Sequence, residues 1–232
     1  MSEIDRIRKE FLSRGQRLTG SDLYSLFNSA QLFTAQQRQR HILASLRRNG
    51  LYPLSERKIL EVGCGEGGIL IENLSYGAST NLLNGIDLLL DRLVIAKQII
   101  ATLPLTNSDG QNLPYAARCF DLTMQITAFS SILDEKVKVN VAHEMLRVTK
   151  PDGLILWYDF WLNPTNPQTR GIRPAEIKRL FPNCRYEFHR ITLAPPIARR
   201  IVPISWMLAL FLESLKIFNS HYLVAIRPAT DH

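Results

Sequence analysis

The stretch "EVGCGEGG", residues 61–68, places a carboxylate two positions before a run of glycines, at the end of an apolar segment. A glycine turn after a strand lets backbone pass close to a ligand, and the N–H groups at the start of the following helix can meet polar or anionic atoms. Gly63, Gly65 and Gly68 satisfy G-x-G-x-x-G, and Asp87 ends the next apolar run, where a carboxylate can take two ribose hydroxyls. That pattern alone fits a nicotinamide nucleotide equally well, or a tight turn with no ligand. Glu61 separates the cases: a buried strand does not carry an unpaired carboxylate without reason, so it is expected to face a polar or cationic ligand group, and dinucleotide phosphates would repel it. In "TNSDGQNLPY", Asp109 is expected to end a third strand, where its carboxylate and the next N–H can read the exocyclic amine and ring nitrogen of adenine. Asp159 in "WYDF" is the first candidate for a base or an acceptor-orienting group, with capping of the loop "NPTNP" as its alternative. His143, His189 and His221 stay uncommitted. No tyrosine has a lysine four places later, so the usual short-chain dehydrogenase pair is missing.

The elements that must position these residues alternate along the chain. Apolar runs predict strands at 58–62, 81–87, leading to 109, 119–127, 153–160 and 184–193. Helical spacing predicts helices at 24–48, 69–76, 92–103, 135–148 and 174–180, the first stopped by Gly50 and Pro53. Such alternation implies a mostly parallel sheet covered on both faces, with ligands at the carboxyl ends of the strands.

Composition bounds the class. With 232 residues, 46% hydrophobic and 21% charged, the chain is long enough for one packed domain and is neither disordered nor fibrous. Three cysteines, widely spaced, suggest neither a disulfide framework nor a zinc site, and a reduced cytoplasmic setting is expected. The longest uncharged apolar stretch, residues 201–212, is too short to span a bilayer. Of the net charge of +7, residues 1–50 carry 9 Lys and Arg against 4 Asp and Glu, and residues 170–232 carry 10 against 4, while the middle is acidic. Basic ends can attract nucleic acid, anionic lipid or a phosphorylated small molecule, or can be solvated surface with no partner.

Taken together, "ILEVGCGEGG", "GIDLLLDRLVIAK", "SDGQNLPY", "FDLTMQ" and "RVTKPDGLILWYDF" resemble the successive motifs of class I S-adenosylmethionine-dependent methyltransferases, the small single-domain type similar to methyltransferase type 11. The resemblance covers roughly residues 55–160, with Asp152 standing where the family often has glycine. It implies an α/β, Rossmann-like, seven-stranded, mostly parallel sheet with helices on both faces and one antiparallel strand, for which "HYLVAIRP" is the natural last strand. To this are added an N-terminal helical cap over residues 1–54 and a domain over 55–232, whose basic and apolar segment 161–219 chooses the acceptor. The resemblance also implies S-adenosylmethionine as cofactor. Gly63, Cys64, Gly65 and Gly67 would line its methionine part, with Glu61 near the amino group. Asp87 would take the ribose, Leu88 would lie beside adenine, Asp109 and Gly110 would read its edge, and Gln125 would lie near the methyl donor.

The acceptor is read from what accompanies these motifs. The Asn/Asp-Pro-Pro-aromatic signature of nucleic-acid amino methyltransferases is replaced by "QITAFSS", and no Pro-Cys dipeptide is present. Only Asp159 with Asn163 hints at a metal-dependent catechol type, so no metal is expected. O-methylation of a small molecule or saccharide, bearing phosphate or lipid, leads, with an RNA methyltransferase, an NAD(P)-dependent oxidoreductase and a non-catalytic binding scaffold as alternatives. Arg170, Arg173, Lys178, Arg179, Arg185, Arg190, Arg199 and Arg200 suit an anionic acceptor. Ile204, Met207, Leu208, Phe211, Leu215 and Phe218 form one helical stripe and Trp206, Leu210 and Ile217 another. Core packing is the first reading of that segment; a lid, a partner helix and peripheral membrane contact are the others.

Overall fold

A computed structural model describes residues 2–163 and 166–229. Two helices, α1 (Glu3–Leu18) and α2 (Ser29–Arg48), precede β1 (Ile59–Val62), α3 (Gly68–Ser75), β2 (Leu83–Asp87), α4 (Leu90–Ile99), β3 (Leu105–Asn107) and β4 (Phe120–Ile126). The chain continues through α5 (Glu135–Val148), β5 (Thr149–Phe160), α6 (Pro174–Leu180), β6 (Cys184–Leu193), α7 (Pro195–Ile201), α8 (Trp206–Ser214) and β7 (Asn219–Pro228). The sheet has the order β3-β2-β1-β4-β5-β7-β6, and β7 is the antiparallel member. This is the seven-stranded Rossmann-like arrangement expected from the sequence.

Local chemistry accounts for the boundaries. Asn28 caps α2 by accepting from Ala30 N and Gln31 N, which starts that helix at Ser29 and not at residue 24. Asp134 caps α5 through Val137 N, and proline opens both α6 and α7, where its missing N–H leaves no intrahelical bond unmade. Helix α1, which the strand and helix pattern did not single out, is opened by a capping box between Ser2 and Asp5. Residues 149–152, ahead of the strand expected at 153–160, extend β5 backward. The segment 201–218 is not one helix: a turn at 202–205 divides α7 from α8.

Alternate side chains of each strand feed two cores. Ile59, Leu122, Leu156 and Leu223 meet Ile42 and Leu46 of α2, Leu70 of α3 and Leu93 of α4 on one face. Leu60, Ile155, Trp157 and Val224 meet Val141 and Met145 of α5 and Ile177 of α6 on the other. Helix α2 thus shares the core of the sheet. The two-sided burial is what makes the central strands near-continuous apolar runs. Because β1, β4 and β5 run in parallel and α3, α4 and α5 each return to the opposite edge, the loops following β1, β2, β3 and β4 line up along one carboxyl edge.

Candidate functional site

The glycine turn lies at the middle of that edge. Gly63 N and Cys64 N both donate to Ile86 O at 2.9 Å, fastening the turn to β2. Gly65 holds φ +54°, and a Cβ there would come within 2.5 Å of the Arg92 guanidinium. Gly63 holds φ +79° and a Cβ would meet the Ala128 methyl at 2.7 Å, so the turn also abuts the loop after β4. Gly67, the N-cap of α3, packs on Ala96 of α4. Neighbouring side chains approach the backbone here more closely than a Cβ would allow, which is why the turn takes glycine.

Asp87, buried at the end of β2, accepts from Gly65 N at 2.7 Å and from Leu89 N at 2.8 Å. Each oxygen has used one of its two lone pairs, so the carboxylate can still accept two hydroxyls. Glu61 stands on β1 beside it, 2% exposed, with Oε2 buried and without a partner. Burial, then the Asp87 and Glu72 carboxylates, push its pKa up to about 8, and Arg38 and Arg92 oppose that only in part. An orphaned buried carboxyl oxygen costs on the order of 1–3 kcal/mol and more if charged, so the site is built for a donor or cation that the chain itself does not supply.

The other expected residues divide. The peptide at Leu88 borders the edge, its carbonyl held with that of Asp87 by the Asn107 amide. Asp109 does not end β3, which stops at Asn107; it sits in the following turn, exposed, and accepts from Gln111 N at 2.9 Å. Gly110 is buried with φ +78° against Val141 of α5. The Cys64 side chain points away from the turn into the core opposite Gly85, and burial pushes its thiol pKa up, so only its backbone serves the turn. Gln125 does not open toward the turn either: its Oε1 accepts from Ala128 N at 3.0 Å and its amide faces Tyr158 O at 3.4 Å. Both organise the loop after β4.

Asp159 has the geometry of a cap and not of an open base. Its Oδ2 accepts from Ser130 N at 2.9 Å and Oδ1 from Phe160 N at 2.8 Å, while burial raises its pKa to about 6. The capped segment is the turn Phe129–Ser131; of the loop "NPTNP", Pro164 and Thr165 lie outside the described residues.

Several neighbours of the glycine turn and the sheet edge went unread in the sequence. Arg92 lies over Gly65, and Phe11 of α1 stacks on its guanidinium at 5.1 Å. Helix α1 is docked by Glu3, which accepts from Leu133 N and Asp134 N, and by Arg6, which donates to Ser131 O. It therefore lies across the edge from the loop after β4 to the start of α4. On the α2 side, Arg38 pairs with Glu72 and acts electrostatically on Glu61, Tyr158 and His221. His221 stacks on Tyr158 with ring centroids 4.8 Å apart, and its Nδ1 is 3.0 Å from Ser220 Oγ. Burial, then Arg38, lowers its pKa to about 3, so the imidazole is neutral at pH 7. The register Phe160 with His221 puts this histidine at the same edge. Strand alternation could have shown its side, but not that Arg38 would reach it.

The arginines of the C-terminal part do not gather. Arg170 and Arg179 pair with Glu135 and Glu176 beside α5 and α6, and Arg190 donates to Asn219 O and Ile217 O while stacking on Trp161. Among the described residues, no group of three or more His, Cys, Asp and Glu could hold a metal ion.

Residues 59–153 match the family model described as a methyltransferase domain. Among solved structures, the chain is similar in fold to an S-adenosylmethionine-dependent methyltransferase from Clostridium acetobutylicum ATCC 824, with TM-score 0.63, 12% identity, and coverage of 91% of this chain and 98% of that one. It is also similar to the PH0226 protein from Pyrococcus horikoshii OT3, with TM-score 0.59, 16% identity, and coverage of 92% and 98%. An S-adenosylmethionine-dependent methyltransferase from Mesorhizobium loti matches at TM-score 0.57 and 16% identity, over 79% and 96%. At these identities the likeness is one of fold.

Proposed function

We propose, from the match of residues 59–153 to the methyltransferase-domain model, that this chain is an S-adenosylmethionine-dependent methyltransferase and that it methylates an oxygen of a small-molecule or saccharide acceptor. The observation that carries the cofactor reading is the partnerless Oε2 of buried Glu61 beside Asp87, a place made for a cation next to a diol.

The residues at the edge fit the cofactor. Glu61 would hold the α-ammonium, the backbone of Gly63, Gly65 and Gly67 would lie along the methionine part, and Asp87 would accept from both ribose hydroxyls. Leu88 would flank adenine, with Asp109 and the N–H of Gly110 at its edge. When bound, the sulfonium supplies an already activated methyl group, so the chain is left with alignment, exclusion of water and removal of the acceptor's proton. Exclusion falls to α1 and Arg92, which cover the glycine turn. His221, neutral and with Nδ1 placed by Ser220, would form the acceptor-side wall with Arg38 and Tyr158; a ring that resists protonation is no base for the acceptor hydroxyl. Asp159 acts as a positioning residue, since it holds the turn Phe129–Ser131 and so the Ala128 methyl against Gly63.

Calorimetry with S-adenosylmethionine and with NAD⁺ tests the cofactor. Binding of the first and not the second is expected, with Glu61→Gln weakening it at least about tenfold, one lost charged hydrogen bond. Equal affinity in that variant, or binding of NAD⁺ alone, would sink the reading. Labelled methyl donor offered with glycan, phenolic and bulk RNA acceptors tests the acceptor class: label found in RNA only would replace O-methylation of small molecules by the RNA alternative.

A further inference from the structure

Helices α7 and α8 join the end of β6 to the start of β7. Because β6 and β5 both run antiparallel to β7, this hairpin rises from the same edge as the glycine turn. Its inner side is fixed: Ala198, Val202 and Ala209 pack with Ala30, Phe33 and Leu193, and Trp206 meets Phe33 edge-on at 5.1 Å. Its outer side is apolar and open. Ile204 is 80% exposed, Met207 75%, Phe211 59% and Ile217 65%. A face of large side chains left in water on a helix pair that already has its core is not explained by packing.

Charge tells what covers it. Between residues 190 and 220 the single acid is Glu213, which is buried and accepts from Thr192 N, so it offers nothing to the surface. Arg199, Arg200 and Lys216 are exposed, and their side chains make no ion pair or hydrogen bond among the described residues. Arg40 of α2 joins them, since its charge and that of Lys216 reach the same carboxyl of Glu213. A second copy docking through this face would set these cations against their own kind. Lining of a pocket at the sheet edge is also excluded for Met207 and Phe211, which lie on the side of α8 away from Phe33. No described helix is long and apolar enough to cross a membrane. We propose that the α7–α8 hairpin is a peripheral docking surface for an anionic lipid bilayer: Ile204, Met207, Phe211 and Ile217 enter the boundary between headgroups and acyl chains, and the four cations meet lipid phosphates. The surface stands independently of the methyl-transfer reading, and it would bring lipid to the edge that carries the glycine turn.

The test is flotation of the full chain with vesicles, without cofactor, so that failure of either reading shows separately. Vesicles of phosphatidylglycerol and phosphatidylcholine are expected to carry the protein upward, and pure phosphatidylcholine to carry little. Raising salt from 0.1 to 1 M, which shortens the screening length from about 10 to about 3 Å, should release much of it. Ile204→Ser/Met207→Ser/Phe211→Ser and, separately, Arg199→Glu/Arg200→Glu are each expected to lower the partition coefficient at least about tenfold. All five positions are exposed, and circular dichroism checks that both variants are folded. No flotation at any phosphatidylglycerol content overturns the proposal, and so does undiminished flotation of the serine variant. Light scattering that finds a dimer for the native chain and a monomer for the serine variant would assign the face to a second copy instead.

Discussion

At the scale of single residues, Glu61 is the group whose behaviour is most sharply set. Its folded pKa of about 8 against an ordinary 4.5 means that the folded chain keeps a proton which the unfolded chain releases. The stabilisation is complete below about pH 4.5 and is lost as pH rises through 8. Glu61→Gln is therefore expected to melt higher than the native protein at pH 8 and nearly equal to it at pH 5, as thermal melts at the two values would show. An ammonium favours the ionised carboxyl, so cofactor binding at pH 7 should release a proton, and the calorimetric enthalpy should change between phosphate and Tris buffers. Gly65→Ala puts a methyl within 2.5 Å of the Arg92 guanidinium at φ +54°, and loss of cofactor affinity is the expected result. Adding Arg92→Ala removes the clash but leaves the backbone strain of about 1 kcal/mol, so recovery should be partial. His221→Phe, which keeps the stack on Tyr158, should raise KM for the acceptor while cofactor affinity stays near native, a split that a purely structural role would not give.

Among the elements, α1 is held most lightly. None of its residues is buried, and it is tied to the body by the Glu3 and Arg6 bonds to the loop after β4, the Arg6 bond to Gln168 and the stack of Phe11 on Arg92. Few buried apolar contacts mean low local stability. Its amides should exchange with deuterium faster than those of the other long helices, and S-adenosylmethionine should slow them; unchanged exchange would show that α1 does not close over the site. At the opposite extreme, β5 is locked to α6 through Trp157, which meets Phe129 at 4.5 Å and Phe181 at 5.8 Å between ring centroids. Trp157→Ala is expected to cost about 3–5 kcal/mol in urea unfolding.

Over the whole molecule, buried titratable groups oppose one another. His41, with a pKa near 4, and His221, near 3, resist protonation in the fold, so their contribution is present above about pH 6.5 and falls away as pH drops toward 3. Asp159, raised to about 6, and Glu61, raised to about 8, act in the other direction. The melting temperature of the protein without cofactor should therefore change little from about pH 5 to 6 and decline toward pH 8, where Glu61 is still titrating. A midpoint that climbs steadily to pH 8 would contradict this balance. The order of strands and helices, the glycine turn and the carboxylate at the end of β2 were already determined by the sequence, because apolar runs, caps and glycines act over a few neighbouring residues. The resemblance to methyltransferase motifs added the further expected cofactor positions in the same way, by order and spacing, and the fold turns the Cys64 and Gln125 side chains away from the turn. Tertiary structure alone decided which charges find partners. Asp159 meets Ser130 across 29 residues of chain, Glu61 is left with an empty oxygen, and Arg92 comes to rest on Gly65 under Phe11. It also turned the stripe of Met207 and Phe211 outward, since periodicity defines a helix face but the side on which a helix is packed depends on residues far away in the chain.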